Sequence, residues 1–149
     1  MNGAIVGTCR FSKTINAPLR FVYDWCTDYR EDDYKITGAK SRRLIVEKTK
    51  SRVVYITQQK GVKVGTAVNI VTLRPPNGWH LNSIGDQRNE TGRYHLRKLG
   101  PRSTKLDMVF KFKWKIGPAP TRTEFLEHLN EIWDKYAAAL ENDYKRKKV

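Results

Sequence analysis

The sequence predicts an α+β fold: a curved antiparallel sheet of about seven strands gripping one long C-terminal helix, with two short helices after the first strand. Three observations carry this reading. Residues 120–148 place apolar side chains at helical spacing with no interior Pro or Gly. Residues 105–116 set a large apolar side chain at every second position, opposite a face that is polar but for Val109, which is the mark of a half-buried strand. The strands fall in one group between the helices instead of alternating with them, which separates α+β from α/β.

Taken in order, Cys9 to Ile15 alternates loosely as a first strand. Asn16-Ala17-Pro18 opens a short helix, with Pro in a favourable first-turn position and Leu19, Val22, Trp25 and Cys26 on one apolar face. Asp28 to Tyr34 is acidic and reads as a second short helical turn, ended by Gly38. From Ser41 the period becomes two. Leu44 and Val46 alternate with Arg43, Ile45 and Glu47, Lys50-Ser51 turns the chain, and Val54 and Ile56 alternate with Val53, Tyr55 and Thr57. Gln58 to Gly65 is a polar loop, Thr66 to Leu73 a β-rich run, and Pro75-Pro76-Asn77-Gly78 a turn. Trp79 to Ile84 makes a further strand and Gly85 to Thr91 a loop.

Gly92 to Leu99 sets Tyr94 and Leu96 against Arg93, His95 and Arg97, and Gly100-Pro101 reverses the chain. In the next strand Leu106, Met108, Phe110, Phe112, Trp114 and Ile116 share one face, opposite a face that is nearly all lysine. Pro118 and Pro120 end that strand. Thr121 and Glu124 then form a capping box for the last helix, with acids early and Lys145 to Lys148 late, as the helix dipole favours. Its stripe is Phe125, Leu129, Ile132, Tyr136, Ala139 and Leu140, widened by Leu126 and Trp133, and it needs a large apolar partner. The aromatic face of the preceding strand is that partner.

Composition bounds the function. The 149 residues suit one domain, 1–149, and 39% hydrophobic with 11% aromatic content is not that of a disordered chain. No apolar run reaches membrane-spanning length, and Met1 to Gly7 lacks the features of a signal peptide. Cys9 and Cys26 have no metal-site spacing; they read as reduced thiols of a cytoplasmic protein, with a disulfide between them as the lesser alternative. The net charge is +14, and its distribution is uneven. Residues 40–63 carry eight basic residues against Glu47 alone, and residues 93–120 carry eight against Asp107 alone. The rest of the chain balances, so the excess lies in two segments that read as strands.

Ile15-Asn16-Ala17-Pro18 followed by Phe21-Val22-Tyr23-Asp24-Trp25, and the hairpin Gly92-Arg93-Tyr94-His95-Leu96 with Gly100-Pro101-Arg102-Ser103-Thr104-Lys105-Leu106, resemble the helix-grip superfamily. That group (START or SRPBCC domains) includes polyketide cyclase-like proteins and pollen-allergen-like ligand carriers. The resemblance covers nearly the whole chain and implies a hydrophobic ligand, lipid or polyketide-like, held between sheet and last helix. It implies no common catalytic motif and no cofactor.

On that basis the candidate ligand-binding residues are Tyr94, Leu96, Phe110, Phe112 and Trp114 from the sheet and Phe125, Leu129, Ile132 and Tyr136 from the helix, with Trp79 and Trp133 at the rim. The alternative is that these side chains fill a solid core. Tyr136 offers a hydroxyl in an apolar face, and His128 is the one histidine able to reach a pocket; both are weak catalytic candidates for a cyclase or dehydratase. His80 and His95 alternate onto the outer face. Asp28, Glu31, Asp32 and Asp33 read as a solvated turn and not as a metal site, because no histidine lies near them. Arg93, Arg97, Lys111, Lys113 and Lys115 share an outer basic face suited to nucleic-acid phosphate or an anionic membrane. No aromatic interleaves them, so this ranks below ligand binding.

Overall fold

The computed structural model describes residues 8–39, 41–59, 65–116 and 119–147. The order is β1 (Cys9–Ile15), α1 (Leu19–Cys26), α2 (Tyr34–Thr37), β2 (Ser41–Lys48), β3 (Arg52–Gln59), β4 (Thr66–Arg74), β5 (Gly78–Gly85), β6 (Arg88–Gly100), β7 (Ser103–Trp114) and α3 (Arg122–Lys147). All seven strands form one antiparallel sheet in the order β1-β7-β6-β5-β4-β3-β2. From β2 onward each strand pairs antiparallel with its sequence neighbour. β1 instead pairs with β7, so that β1 and β2 form the two edges of the sheet. The expected loop at Gln58 to Gly65 and the lysines Lys40, Lys60, Lys63 and Lys148 fall wholly or partly outside the described residues, as do Pro118 and Met1 to Gly7.

The core lies between the concave face of the sheet and the helices. Leu106, Met108, Phe110 and Phe112 of β7 are all buried there, against Leu129, Ala137 and Leu140 of α3. Burying each such side chain contributes about 1.5–3 kcal/mol. The capping box forms: the Thr121 N–H donates to Glu124 Oε1 at 2.8 Å, and the Glu124 N–H donates to Thr121 Oγ1 at 3.1 Å. Polar bonds then fix the helix over the sheet. Trp25 Nε1 of α1 donates to Asp143 Oδ2 at 2.8 Å, the Asn16 N–H donates to Glu141 Oε2 at 2.8 Å, and Lys13 pairs with Asp134.

Four local features differ from the sequence reading. β6 begins at Arg88, so residues 88–91, expected in a loop, are paired with β5 and β7. β7 ends at Trp114, which is half-buried, and Ile116 beyond it is 47% exposed. Trp79, expected at a rim, is 1% exposed and stacks within the core. The acidic turn is not simply solvated. Asp28 pairs with Lys48 at 2.9 Å, Asp33 with Arg43 at 2.6 Å, and Glu31 accepts the Ile45 N–H at 2.8 Å. These acids neutralise basic β2 and satisfy part of its open edge.

Candidate functional site

The sheet and α3 do not close on each other completely. A cavity of about 240 Å³ remains between them. Its walls are aromatic because the sheet's rings pack on one another instead of reaching across. Trp79 and Tyr94 stack with centroids 4.9 Å apart, Tyr94 meets Phe110 edge-on at 5.7 Å, and Phe125 of α3 meets Phe110 at 5.8 Å. Gly92 sits beneath these rings. A Cβ there would lie 3.2 Å from both Phe110 and Tyr94, so a side chain at this position would crowd both rings. Leu129, Ile132, Trp133 and Tyr136 complete the helical wall, and Trp25 of α1 approaches Tyr136 edge-on at 6.1 Å.

Two ion pairs stand in this apolar shell. Arg43 of β2 donates through Nη1 to Asp33 Oδ2 at 2.6 Å and to the Arg30 carbonyl at 3.0 Å. Its guanidinium carbon lies 5.0 Å from the Tyr29 ring and 4.8 Å from the Tyr55 ring. Burial works against its charge, but Tyr55, Asp33 and Tyr136 more than offset that, so Arg43 stays charged. Arg88 of β6 donates through Nε to Glu90 Oε1 at 3.3 Å. Glu90 has a side chain only 15% exposed, and burial pushes its pKa up while Arg88 opposes the shift. Among the described residues no other group bonds this carboxyl. Its carboxyl therefore holds its proton to higher pH than an exposed glutamate does.

The hydroxyls around these pairs are neutral donors. Burial pushes Tyr55 up to about 12, holds Tyr29 and Tyr94 well above the ordinary tyrosine value, and raises Tyr136 against the pull of Arg43. Burial also raises the Cys26 thiol, which leaves it protonated and a poor nucleophile. No group of acids, histidines and cysteines among the described residues could hold a metal ion, and no helix there is long and apolar enough to cross a membrane. Larger hollows of about 550 and 640 Å³ lie on the outer sheet face and beside α1. Neither combines apolar walls with converging polar groups, as ligand pockets do.

Of the residues named from sequence, the cavity brings together Trp79, Tyr94, Phe110, Phe125, Leu129, Ile132, Trp133 and Tyr136, with exposed His128 at its edge. Leu96, Phe112 and Trp114 do not line it. Leu96 is buried opposite Leu106, Phe112 packs against Phe125 at 4.5 Å, and Trp114 lies at the strand end with Arg88 over its ring. The sequence reading did not assign Tyr29, Asp33, Arg43, Tyr55, Arg88 or Glu90 to the site, and they supply most of its polar lining. Strand parity held the signal for three of them. Arg43 steps by two to Ile45, Ile45 pairs with Tyr55, and Glu90 steps by two to Gly92 and Tyr94. On the outer face Arg93, Lys111 and Lys113 are exposed, Arg97 pairs with Asp107 at 3.1 Å, and Lys115 donates to the Gly85 carbonyl at 2.8 Å.

No family model matches the chain, and no curated protein matches its sequence. Solved structures do match. The Zhui aromatase/cyclase of Streptomyces sp. R1128 superposes with a TM-score of 0.70 at 14% identity, covering 96% of each chain. A point mutant of norcoclaurine synthase from Thalictrum flavum, in complex with a transition-state analogue, gives 0.69 at 11% identity over 98% of each chain. A START superfamily protein from Mycobacterium smegmatis gives 0.64 at 18% identity, over 93% of this chain and 97% of that one. The chain has the helix-grip fold.

Proposed function

We propose that the protein binds a small aromatic molecule of one or two rings, carrying a hydroxyl or carbonyl group, between the sheet and α3. The observation that carries this is the aromatic cavity of about 240 Å³ with Glu90 and Arg43 in its wall. Size sets the ligand class. A cavity of roughly 150 Å³ accepts benzene, and drug-sized ligands need about 300 Å³ or more. A long acyl chain or a multi-ring polyketide needs more room than this cavity offers. The stacked rings supply apolar area, and the neutral tyrosine hydroxyls donate to a ligand oxygen. We place this activity in the cytoplasm, on the strength of free Cys9 and Cys26. Native mass spectrometry of protein purified from its own cells tests the reading. A co-purified aromatic of this size is the expected result; a co-purified acyl lipid would replace it.

A second reading is an enzyme of the cyclase or dehydratase type. Glu90, buried in the cavity with a raised pKa, favours it over a passive carrier. In that reading the Glu90 carboxylate takes a proton from a carbon beside a carbonyl, and Tyr136, held near Arg43, donates a hydrogen bond to the carbonyl oxygen as charge develops there. His128, exposed at the edge, is less well placed than Glu90. An aromatase/cyclase and a norcoclaurine synthase are among the structures of this shape, which is in keeping with the reading. Glu90-dependent hydrogen–deuterium exchange at the α-carbon of a bound one-ring ketone would support it, and exchange unchanged in Glu90→Gln would remove it.

A further inference from the structure

The sheet face turned away from α3 is divided into two unlike halves. Leu44 pairs with Ile56, Ile56 with Val68, and Val68 with Ile84, so four aliphatic side chains stand in one row across β2, β3, β4 and β5. Directly paired residues share a face. A second row follows from the Val54–Ile70 pair, extended by Val46 at the bulge in β2. Leu44, Val46, Val68 and Ile84 are 58%, 59%, 43% and 56% exposed. On β1, β6 and β7 the same face carries Arg10, Thr91, Arg93, Lys111 and Lys113. An antiparallel sheet with one wet face ordinarily turns polar residues outward, and contiguous exposed aliphatics mark a contact surface.

Charge selects what covers it. Few cations border the aliphatic half: Arg52 pairs with Glu47 at 2.6 Å, Arg42 on β2 lies over the Tyr34 ring at 4.3 Å, and Arg74 stands at the far end of β4. Covering this half therefore brings few unpaired charges together. Arg93, Lys111 and Lys113, which form no ion pair among the described residues, all lie on the other half. We propose that the aliphatic half packs, sheet on sheet, against the same half of a second copy of this chain. A two-fold axis along the strands superposes the two aliphatic halves and sends the two basic halves to opposite ends. Short aliphatic side chains interdigitate between stacked sheets but do not reach into a bilayer as the apolar face of an amphipathic helix does. Each cavity lies on the far side of its own sheet and stays accessible.

Sedimentation of the full chain tests this, from low micromolar to several hundred micromolar at about 0.15 M salt. The expected result is a monomer–dimer equilibrium that higher salt does not dissociate. Ile84→Lys should weaken it at least about tenfold with an unchanged circular dichroism spectrum. Leu44→Asp, on the edge strand, is a second variant should Ile84→Lys fail to fold. Lys111→Gln with Lys113→Gln should leave the dimer intact. A wild-type chain that stays monomeric overturns the proposal, and pelleting of that monomer with phosphatidylglycerol vesicles that is lost in Ile84→Lys but kept in the Lys111→Gln, Lys113→Gln variant would assign the aliphatic half to lipid. A dimer that survives Leu44→Asp and Ile84→Lys overturns it equally, because the contact then lies elsewhere.

Discussion

Trp79 and Trp114 sit in strands of similar apolar character, yet their replacement by alanine should have very different costs. Trp79 is 1% exposed, stacked on Tyr94 at 4.9 Å and edge-on to Tyr23 at 6.0 Å. Truncating a residue so enclosed costs about 3–5 kcal/mol, of which each aromatic pair accounts for roughly 0.5–1.5 kcal/mol. Trp114 is half-buried at the last position of β7, with the Arg88 guanidinium 5.2 Å from its ring. Its Nε1 is buried without a partner among the described residues. An unsatisfied donor costs about 1–3 kcal/mol, and that cost disappears with the side chain. The net loss for Trp114→Ala should be about 1–2 kcal/mol, from partial burial and the cation–π contact of about 0.5–1 kcal/mol. Urea denaturation separates the two. With a slope of about 2 kcal/mol per molar, the midpoint for Trp79→Ala should fall by roughly 2 M and that for Trp114→Ala by about 0.5–1 M. Because the first variant could fall near the threshold of folding, Trp79→Phe serves as a graded intermediate. Equal shifts, or a larger one for Trp114, would refute the packing argument.

Three further outcomes follow from the site and the basic face. Glu90 has a raised pKa in the folded state, so folded protein holds its proton longer than unfolded chain, and stability falls as pH rises through the unfolded and then the folded value. Glu90→Gln should therefore be more stable than wild type above that window, with the difference fading on acidification below it; thermal melts across pH check this, and a difference independent of pH would contradict it. Asp33→Ala removes the partner of Arg43, whose side chain is 19% exposed, and should cost about 2–4 kcal/mol in chemical denaturation. A loss below about 0.5 kcal/mol would mean that water already solvates Arg43. Replacing Lys111, Lys113 and Lys115 by Gln should weaken retention on heparin without altering the binding of an aromatic probe; unchanged retention at low salt would leave the basic face without a binding role.

The fold was legible because its two governing signals are long. Alternation sustained from Leu106 to Phe112 and a helical stripe from Phe125 to Leu140 leave little freedom in how sheet and helix meet. The apolar half of the cavity wall followed from the same stripes. The polar half did not, for physical reasons. Arg43 points inward while Leu44 and Val46 point out, the reverse of what hydrophobicity alone suggests, because Asp33 and the Arg30 carbonyl bind the guanidinium inside. Those partners lie in a turn whose docking onto β2 no local pattern encodes. Glu90 was hidden by Gly85 to Thr91, a polar stretch that reads as loop but whose residues 88–91 are held in β6 by pairing with its neighbours. Trp79 was misplaced because a strand's first residue looks peripheral until a neighbouring strand stacks Tyr94 on it.

The claim on which the functional account rests is that the space between sheet and α3 admits a small aromatic molecule while the protein is fully folded. Titration with 2-naphthol tests it most directly, read by quenching of the tryptophans that line the cavity, Trp25, Trp79 and Trp133, in wild type and in Leu129→Trp. Leu129 is 7% exposed and faces the cavity, so an indole there should occupy the ligand's place. The account predicts saturable binding of one naphthol per wild-type chain and binding weakened at least about tenfold in Leu129→Trp, with the circular dichroism spectrum unchanged. Wild-type protein that binds no naphthol, together with a Leu129→Trp variant destabilised by the roughly 1–3 kcal/mol of an overpacked core, would contradict it.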